Sequence, residues 1–386
     1  VLDLLATGLP LFAPAHTRDS AALVPARRAA PRRRNRLPIN FPSCNYLMTY
    51  QITIQPSGHQ YTIEEDESVL QAALDAGYTL PYGCRNGACG SCKGKVIEGC
   101  IDHGATPEKT LSEEERATGM ALFCCAKPLS DLVIECREVP AQQAYPVKTL
   151  PCRVQKIERL APDVIALHLK LPNSEPLAFR AGQYVEILLK DGQRRAFSIV
   201  NAPHEEGLLQ LHIRLVSGGQ FTTHIFNTMK EREILRFEGP HGSFHLREDS
   251  DKPIIFVAGG TGFAPIRSII EYVIHAGISR PMTLYWGAKD RAGLYLPELP
   301  ERWAQQQANF KYVPVLSEPS DVDAWTARRG FVHRAVLEDF SDLSGHQVYI
   351  CGAPPMIDAA RRDFLAQGLP EEEFFADVFS FASHPA

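Results

Sequence analysis

The most distinctive segment of this sequence is Pro81-Tyr82-Gly83-Cys84-Arg85-Asn86-Gly87-Ala88-Cys89-Gly90-Ser91-Cys92. It places three cysteines in one short loop, with glycine or another small residue at most positions between them. A further pair of cysteines follows in Leu122-Phe123-Cys124-Cys125-Ala126-Lys127-Pro128. Clustered cysteines in a large chain more often bind metal than form a disulfide framework. The sequence therefore predicts a metal centre built by this loop and the downstream pair.

Two kinds of centre are compatible with these cysteines. The spacing Cys84-x4-Cys89-x2-Cys92, followed by Cys124, is the plant-type pattern of a 2Fe-2S cluster, in which each iron takes two thiolates. A zinc ion could instead use Cys89, Cys92, Cys124 and Cys125. Zinc would leave Cys84 and the many glycines without a role, so the pattern favours the cluster. The remaining cysteines outside the nucleotide motifs, expected to be small packing residues, are Cys44, Cys100, Cys136 and Cys152.

The composition describes an ordinary globular chain of several domains. It has 386 residues, of which 45% are hydrophobic and 22% charged, and this length predicts two or three domains. The formal net charge of −5 gives no basic excess for nucleic acid. No apolar run approaches the roughly 20 residues that span a membrane, and no secretory signal is evident. We therefore expect a cytoplasmic protein without a membrane span.

Residues 1–47 differ from the rest of the chain. They hold seven arginines and six prolines against two acidic residues, and show no helical or strand period. This composition predicts a disordered leader, of a kind also found in organellar targeting peptides. The simpler expectation is that Met48, at the start of a strand pattern, is the true first residue.

Three blocks follow the leader. Residues 48–139 contain strand patterns, a helix over residues 68–76 capped by Ser68, and the cysteine loop. After a linker at 140–146, residues 147–248 read as short strands separated by turn residues, which predicts an antiparallel barrel. Residues 252–386 alternate strands and helices, which predicts a parallel sheet with covering helices.

The first block resembles plant-type 2Fe-2S ferredoxins, and the resemblance implies a β-grasp fold of the α+β class. The segment 81–92 is similar to the cluster-binding loop of that family. The segment 122–128 is similar to its fourth-ligand segment, in which the ligand stands four residues before proline. This register implies that the fourth ligand is Cys124 rather than Cys125, beside Cys84, Cys89 and Cys92.

The second block resembles the flavin domain of the ferredoxin–NADP reductase superfamily. Arg195-Ala196-Phe197-Ser198 is similar to its Arg-x-Tyr-Ser motif, and Gly218-Gly219-Gln220-Phe221-Thr222 to its second phosphate loop. The resemblance implies FAD, with Arg195 on the diphosphate, Phe197 against the isoalloxazine and Ser198 near N5. Gly218, Gly219 and Thr222 would also meet the diphosphate. Phe197 departs from the tyrosine of the motif and lacks its hydroxyl. On the residues alone, an ordinary strand and a hairpin turn remain alternatives.

The third block resembles the nicotinamide-nucleotide domain of the same superfamily. Gly259-Gly260-Thr261-Gly262-Phe263-Ala264-Pro265 matches its glycine loop, and Cys351-Gly352-Ala353-Pro354-Pro355-Met356 is similar to its Cys-Gly-x-Pro-x-Met segment. The resemblance implies a dinucleotide diphosphate over Gly260, Thr261, Gly262, Ala264 and Pro265, at a helix N-terminus. It also implies Cys351 beside the nicotinamide C4, with Gly352, Pro354 and Met356 in the same segment, and Phe379 close to the flavin. For the tail around Phe379, a core strand is the alternative.

The nature of the nucleotide depends on the cations near its ribose, because an arginine there marks NADPH. Lys289 and Arg291 are the candidates after Tyr285-Trp286-Gly287-Ala288, and neither forms a motif. We therefore expect NADH, with NADPH as the alternative.

The resemblance implies a reductase that takes hydride from NADH, with Cys351 and Ser198 as the catalytic residues. FAD would accept the hydride, and the 2Fe-2S cluster would release electrons singly to a separate protein. Residues 81–95, 122–125 and 376–381 look more like the CDP-6-deoxy-Δ3,4-glucoseen reductase type, which works with a separate dehydrase. Reductase components of aromatic-ring and other oxygenases share the layout and are the alternative. A non-catalytic redox-sensing module is a third hypothesis, which loss of a cluster ligand or of Cys351 would favour.

Overall fold

We analysed a computed structural model of the chain, which describes residues 48–138 and 145–379. The predicted leader at 1–47, most of the linker at 140–146, and the tail residues Ser380 and Phe381 lie outside the described residues. Three main sheets are built from residues 49–135, 148–241 and 254–378. The domain boundaries proposed from the sequence stay predictions.

The first sheet is mixed and holds the cysteine loop at one side. The elements are β1 (Thr49–Gln55), β2 (Gln60–Glu64), α1 (Val69–Asp75), β3 (Lys93–Glu98), β4 (Ile101–Asp102), α2 (Glu113–Ala117), β5 (Met120–Leu122), β6 (Lys127–Pro128) and β7 (Leu132–Glu135). The strand order is β2-β1-β7-β3-β5, with β1 and β7 parallel. Ser68 caps α1 by accepting a hydrogen bond from the Gln71 amide, as the sequence predicts. Alternate strand residues, including Ile52 and Ile54, are buried under α1.

The second sheet is an antiparallel barrel, which confirms the predicted architecture. Its elements are β8 (Lys148–Ala161), β9 (Val164–Lys170), β10 (Tyr184–Leu188), β11 (Arg194–Ser198), β12 (Leu208–Arg214), α3 (Gln220–Asn227) and β13 (Ile234–His241). The order β11-β10-β13-β8-β9-β12 is closed by a bridge between Ile199 and Leu211. Residues 218–222 lead into helix α3, and do not form the hairpin turn that was the alternative interpretation of this segment. The closed sheet buries a core that includes Val185, Leu211 and Phe237.

The third sheet is parallel and is covered by helices on both faces. Its elements are β14 (Ile254–Gly259), α4 (Phe263–His275), β15 (Met282–Ala288), α5 (Glu298–Gln306), β16 (Phe310–Leu316), β17 (Arg328–Arg329), α6 (Val332–Asp339), β18 (Gln347–Gly352), α7 (Pro354–Ala366) and β19 (Phe374–Val378). The order is β17-β16-β15-β14-β18-β19. The central strands are buried on both faces. In a parallel sheet of this kind, ligands bind at the carboxyl ends of the strands, where the loops that lead into the helices lie.

The helices of the third part begin earlier than the sequence pattern indicates. The pattern predicts a helix from Ile266, whereas α4 starts at Phe263, directly after a short 3-10 turn over residues 260–262. The pattern predicts a helix from Met356, whereas α7 starts at Pro354, because proline suits the first helical turn. Within the part of the chain that the structure describes, we found no helix of the length and apolarity that crossing a membrane requires.

Candidate cofactor and hydride-transfer sites

The four cysteines of the predicted cluster form two pairs. The backbone amide of Cys84 donates to Cys89 Sγ at 3.3 Å, and the amide of Cys89 donates to Cys84 Sγ at 3.2 Å. The thiol of Cys124 lies near that of Cys92 and 3.7 Å from that of Cys125. A hydrogen bond from Cys84 lowers the pKa of Cys89, which favours a thiolate in the loop. Two pairs of sulfurs are the arrangement that two irons require.

The geometry does not suit a single zinc ion. A tetrahedral zinc site needs four ligands about 2.3 Å from one point, so its sulfurs lie close to one another. Among the described residues, one group of three or more His, Cys, Asp or Glu side chains has its ligand atoms all within 4.8 Å, and it consists of Glu186, Glu238 and His241. The loop cysteines do not converge in this way. Their pairing therefore fits the two-iron cluster.

Glycines make the room that the cluster loop needs. A Cβ on Gly83 would lie 3.3 Å from Cys89 Sγ, and one on Gly87 would lie 2.8 Å from Cys125 Sγ. Gly87 also has a φ of +78°, which side chains rarely adopt. Cys124 contacts both Cys92 and the backbone at Gly87. The sulfur of Cys125 lies 3.7 Å from that of Cys124, and its side chain is also near Thr106.

The two predicted flavin motifs lie side by side on the barrel. The Phe197 ring at the end of β11 lies 5.8 Å from the Phe221 ring in the first turn of α3. Within residues 48–138 and 145–379, no side chain caps the N-terminus of α3 at Gly219. A Cβ on Gly219 would lie 2.7 Å from Thr222 Oγ1. The free amides of an eight-residue helix and this close-packed turn fit a phosphate group.

Arg195 and Gly218 complete the flavin side of the site. The Arg195 guanidinium donates to the carbonyl of Arg194 at 2.9 Å and to the Gln193 side chain. It is therefore held near the barrel surface, within the strand that carries Phe197. Gly218 has a φ of +74° in the turn before α3, a conformation that suits glycine.

The nucleotide loop and the cysteine segment are in direct contact. A Cβ on Gly262 would lie 2.1 Å from the carbonyl oxygen of Cys351. A Cβ on Gly352 would lie 2.6 Å from Met356 Cε. Helix α4 begins at this loop without a side-chain cap, with Ala264 and Pro265 buried in its first turn. The structure therefore brings together the predicted residues Gly260, Thr261, Gly262, Ala264, Pro265, Cys351, Gly352, Pro354 and Met356.

Arg214 is a residue that motif reasoning missed. It ends β12, and a Cβ on Gly260 would lie 3.2 Å from its Nη1. It forms an ion pair with Asp163 at 3.4 Å, and its Nη2 is buried with no hydrogen-bond partner among the described residues. A buried guanidinium nitrogen beside a phosphate-type loop could hold a phosphate of the dinucleotide. The sequence signal was an arginine just before the glycine turn at 218.

Asp377 joins the flavin and nicotinamide sides. Its Oδ2 accepts a hydrogen bond from Ser198 Oγ at 3.2 Å and one from Cys351 Sγ at 3.6 Å. Burial, with a smaller contribution from Cys89, raises its pKa to about 6. Burial also keeps the pKa of the Cys351 thiol well above its usual value, so this thiol is neutral. The backbone amide of Phe379 donates to the carbonyl of Gly352 at 2.9 Å, which places the predicted aromatic beside this group.

The cluster loop reaches the same region. Cys89 packs against the apolar cluster that contains Ile350 and Val378, where Met356 also packs. Its charge acts on Asp377, whose pKa it raises. The partly buried Asp377 carboxyl group thus accepts hydrogen bonds from the flavin-motif residue Ser198 and the nicotinamide-segment residue Cys351, and the predicted iron ligand Cys89 lies close enough for its charge to act on it. This arrangement defines an NAD(P)H-dependent oxidoreductase that holds a flavin and an iron–sulfur cluster together.

Comparisons with known proteins agree with this class. The family models that match are the 2Fe-2S iron-sulfur cluster binding domain at residues 52–129, the oxidoreductase FAD-binding domain at 151–246 and the oxidoreductase NAD-binding domain at 256–362. The chain is 42% identical to CDP-6-deoxy-L-threo-D-glycero-4-hexulose-3-dehydrase reductase from Yersinia pestis. The alignment extends over 333 residues, which are 86% of this chain and 99% of the relative. It is 39% identical to the reductase component DmpP of phenol 2-monooxygenase from Pseudomonas sp. strain CF600. That alignment extends over 345 residues, which are 88% of this chain and 97% of the relative.

A solved structure gives the same result. The crystal structure of the Amycolatopsis cytochrome P450 reductase GcoB matches with a TM-score of 0.71 and 34% identity, over 86% of this chain and all of that chain. The chain belongs to the family of NAD(P)H-dependent reductases that combine a 2Fe-2S ferredoxin domain with FAD- and NAD-binding domains. Its cofactors are the 2Fe-2S cluster, FAD and a nicotinamide nucleotide, as expected from the sequence. Several relatives are named as reductases or reductase components of a dehydrase or an oxygenase.

Proposed function

We propose that this chain takes two electrons from NADH and delivers them one at a time to a separate acceptor protein. The observation that carries the proposal is the meeting of Ser198 from the flavin barrel and Cys351 from the nucleotide sheet at Asp377, with Cys89 of the cluster loop near enough for its charge to act on that carboxyl group. A nicotinamide supplies hydride, a flavin accepts it, and a 2Fe-2S cluster passes on single electrons. The protein has to hold these groups close together and keep water away from them.

In the hydride step, the side chains around Asp377 orient the two rings. Hydride transfer needs donor and acceptor atoms roughly 3–3.5 Å apart. Cys351 is a small neutral thiol at the end of a fully buried strand, so it can border the nicotinamide without filling its place. Ser198 would donate toward the flavin or to Asp377. The Asp377 carboxylate accepts hydrogen bonds from both side chains, and its charge would favour the positive charge that a bound nicotinamide acquires on giving up hydride.

We propose NADH rather than NADPH because both candidate cations are already engaged. Lys289 pairs with Glu318 at 3.0 Å, at the ends of β15 and β16. The Arg291 guanidinium donates to the carbonyl of Asp323 at 3.2 Å. A 2′-phosphate would meet the Glu318 carboxylate, whereas a ribose hydroxyl can donate a hydrogen bond to it.

The acceptor that we propose is a dehydrase acting on a CDP-linked 6-deoxyhexulose. The support is the 42% identity to the Yersinia pestis reductase named for that dehydrase, over nearly its whole length. An oxygenase component is the second candidate, supported by the 39% identity to the phenol 2-monooxygenase reductase component. Recognition of an acceptor is a surface property, so it has to be measured directly. The purified reductase should be bound to a resin and the native extract passed over it, with NADH oxidation then assayed against each protein retained.

The electron order is tested with the Cys89→Ser variant. Removing one iron ligand should abolish the rhombic EPR signal of the reduced cluster and the reduction of cytochrome c. Reduction of ferricyanide by NADH should persist, since the flavin suffices for it. Cytochrome c reduction at the wild-type rate would contradict the order. A protein that binds the cofactors without oxidising NADH would instead support the redox-sensing alternative, although all four ligand cysteines and Cys351 are present.

A further inference from the structure

Two side chains of the flavin barrel hold the cluster loop by its backbone. The Tyr184 hydroxyl donates to the carbonyl of Gly83 at 2.6 Å. The Ser243 hydroxyl accepts from the Tyr82 amide at 2.9 Å and donates to the Tyr82 carbonyl at 3.0 Å. The Ser243 amide also donates to the Tyr82 carbonyl, at 3.2 Å. We call these contacts the loop seam.

The loop seam is shielded from water. Tyr82 is 7% exposed, Tyr184 6% and Ser243 9%. A hydrogen bond in such surroundings is stronger than one in water, and losing one partner leaves a buried polar group unsatisfied. The contacts therefore fix the position of the loop against the barrel more firmly than an exposed seam could.

The positions of the seam residues connect both redox sites. Gly83 immediately precedes the predicted ligand Cys84. Tyr184 stands directly opposite Ser198 in the pairing of β10 and β11, and Ser198 is the flavin-motif residue that binds Asp377. One tyrosine side chain thus links the flavin strand to the residue that directly precedes the predicted iron ligand Cys84.

A second contact lies beside the seam. Arg85, which follows Cys84, reaches His241 Nδ1 at 3.4 Å and donates to Gln71 Oε1 at 2.7 Å. His241 is paired with Tyr184 across β10 and β13, and their rings lie 5.5 Å apart. The loop is thus held on both sides of Cys84, which limits rotation of the loop about either contact.

We propose that Tyr184 and Ser243 are positioning residues that set the distance between the flavin and the cluster for one-electron transfer. The proposal rests on the function proposed above. In the step concerned, the reduced flavin loses one electron and one of the two ferric irons gains it, and no bond between heavy atoms forms or breaks. Such a step needs only a fixed geometry, and the seam supplies it.

The test compares Tyr184→Phe with Tyr61→Phe as a matched control. Tyr61 is also buried, at 4% exposure, and its hydroxyl donates to the carbonyl of Val69 at 3.0 Å, but this bond lies within the ferredoxin part. The reconstituted proteins are mixed rapidly with NADH, and the absorbance changes of the flavin and of the cluster are recorded separately. In Tyr184→Phe we expect the rate of cluster reduction to fall about tenfold relative to the rate of flavin reduction, since small displacements strongly slow an oriented transfer. The control should keep the wild-type ratio.

Hydrogen exchange gives a readout that does not depend on activity. Exchange in residues 81–92 should accelerate in Tyr184→Phe and in Ser243→Ala, and stay unchanged in Tyr61→Phe. If Tyr184→Phe fails to fold, the same two measurements on Ser243→Ala test the proposal. The effect there should be smaller, because the backbone amide of residue 243 still donates to the Tyr82 carbonyl. A wild-type rate ratio in a folded seam variant, or an equal fall of both rates, overturns the proposal. A wild-type protein whose flavin is reduced while its cluster is not would refute the proposed function instead.

Discussion

The Cys351 thiol lies 3.6 Å from Asp377 Oδ2, in the same register position of the parallel pair β18–β19. The same oxygen accepts the Ser198 hydroxyl of the barrel at 3.2 Å. One partly buried carboxyl group therefore connects the end of the nucleotide sheet with the end of a barrel strand. Its protonation state governs how both neighbours are held.

Asp377→Asn should slow the reduction of FAD by NADH and remove its pH dependence near 6. Burial raises the pKa of Asp377 to about 6, so below that pH the group is protonated and has lost its charge. The carboxylate is the form that accepts both hydrogen bonds and stabilises a cationic nicotinamide, so the wild-type rate should rise as the pH increases through 6. At pH 5 about a tenth of the groups would be ionised.

The measurement for Asp377 is the single-turnover rate of flavin bleaching from pH 5 to pH 8. The asparagine variant should be slower than wild type at pH 7.5 by about tenfold, less than the roughly hundredfold loss for one preorganised donor in a fully shielded site, because Asp377 is only partly buried. Asp342→Asn is the control, since Asp342 is an exposed loop residue that bonds only Ser344 in the described structure. A wild-type profile with no inflection between pH 5 and 7 would contradict the role.

The contrast between predicted and missed residues has a physical reason. Cys84, Cys89 and Cys92 were predictable because a cluster loop is local, and their spacing alone places three sulfurs together. Helix α1 was predictable for the same reason, since its cap and apolar face lie within nine residues. Asp377 reaches Ser198 and Tyr184 reaches Gly83 across more than 100 residues of sequence. No local pattern marks such residues, because their roles depend on how three sheets pack.

The register of the fourth ligand predicts different outcomes for two neighbouring cysteines. Cys124→Ser should lose most of the cluster, because Cys124 lies near Cys92 and its register before Pro128 assigns it as the fourth ligand. Cys125→Ser should retain it, because the same register leaves Cys125 outside the ligand set. Iron and sulfide content with the EPR spectrum of the reduced protein measure both. Cluster loss in Cys125→Ser with retention in Cys124→Ser would reverse the ligand assignment.

Glu318 should govern the preference between the two nicotinamide nucleotides. Glu318→Gln removes a like charge from the expected place of a 2′-phosphate and releases Lys289. A like charge at about 4 Å in water is worth about 1 kcal/mol, so kcat/KM for NADPH should rise about fivefold. The value for NADH should fall or stay the same. Initial rates with ferricyanide measure both, and Asp290→Asn is the control. An equal change for both nucleotides would show that Glu318 does not face the ribose.

Gly262 should tolerate no side chain, because its packing against Cys351 leaves no space. A Cβ there would lie 2.1 Å from the Cys351 carbonyl oxygen. This oxygen belongs to the backbone, so the clash can be relieved only if β18 or the nucleotide loop moves. Gly262→Ala should lower the free energy of unfolding by about 1–3 kcal/mol and weaken nucleotide binding, as overpacking does. Gly345→Ala is the matched control, since nothing lies within 4 Å of the added atom, and its effect should stay within about 0.5 kcal/mol. Thermal unfolding of the two variants, with NADH titration of flavin reduction, separates them. A Gly262→Ala protein as stable and as active as Gly345→Ala would mean that the nucleotide loop does not rest on the Cys351 strand.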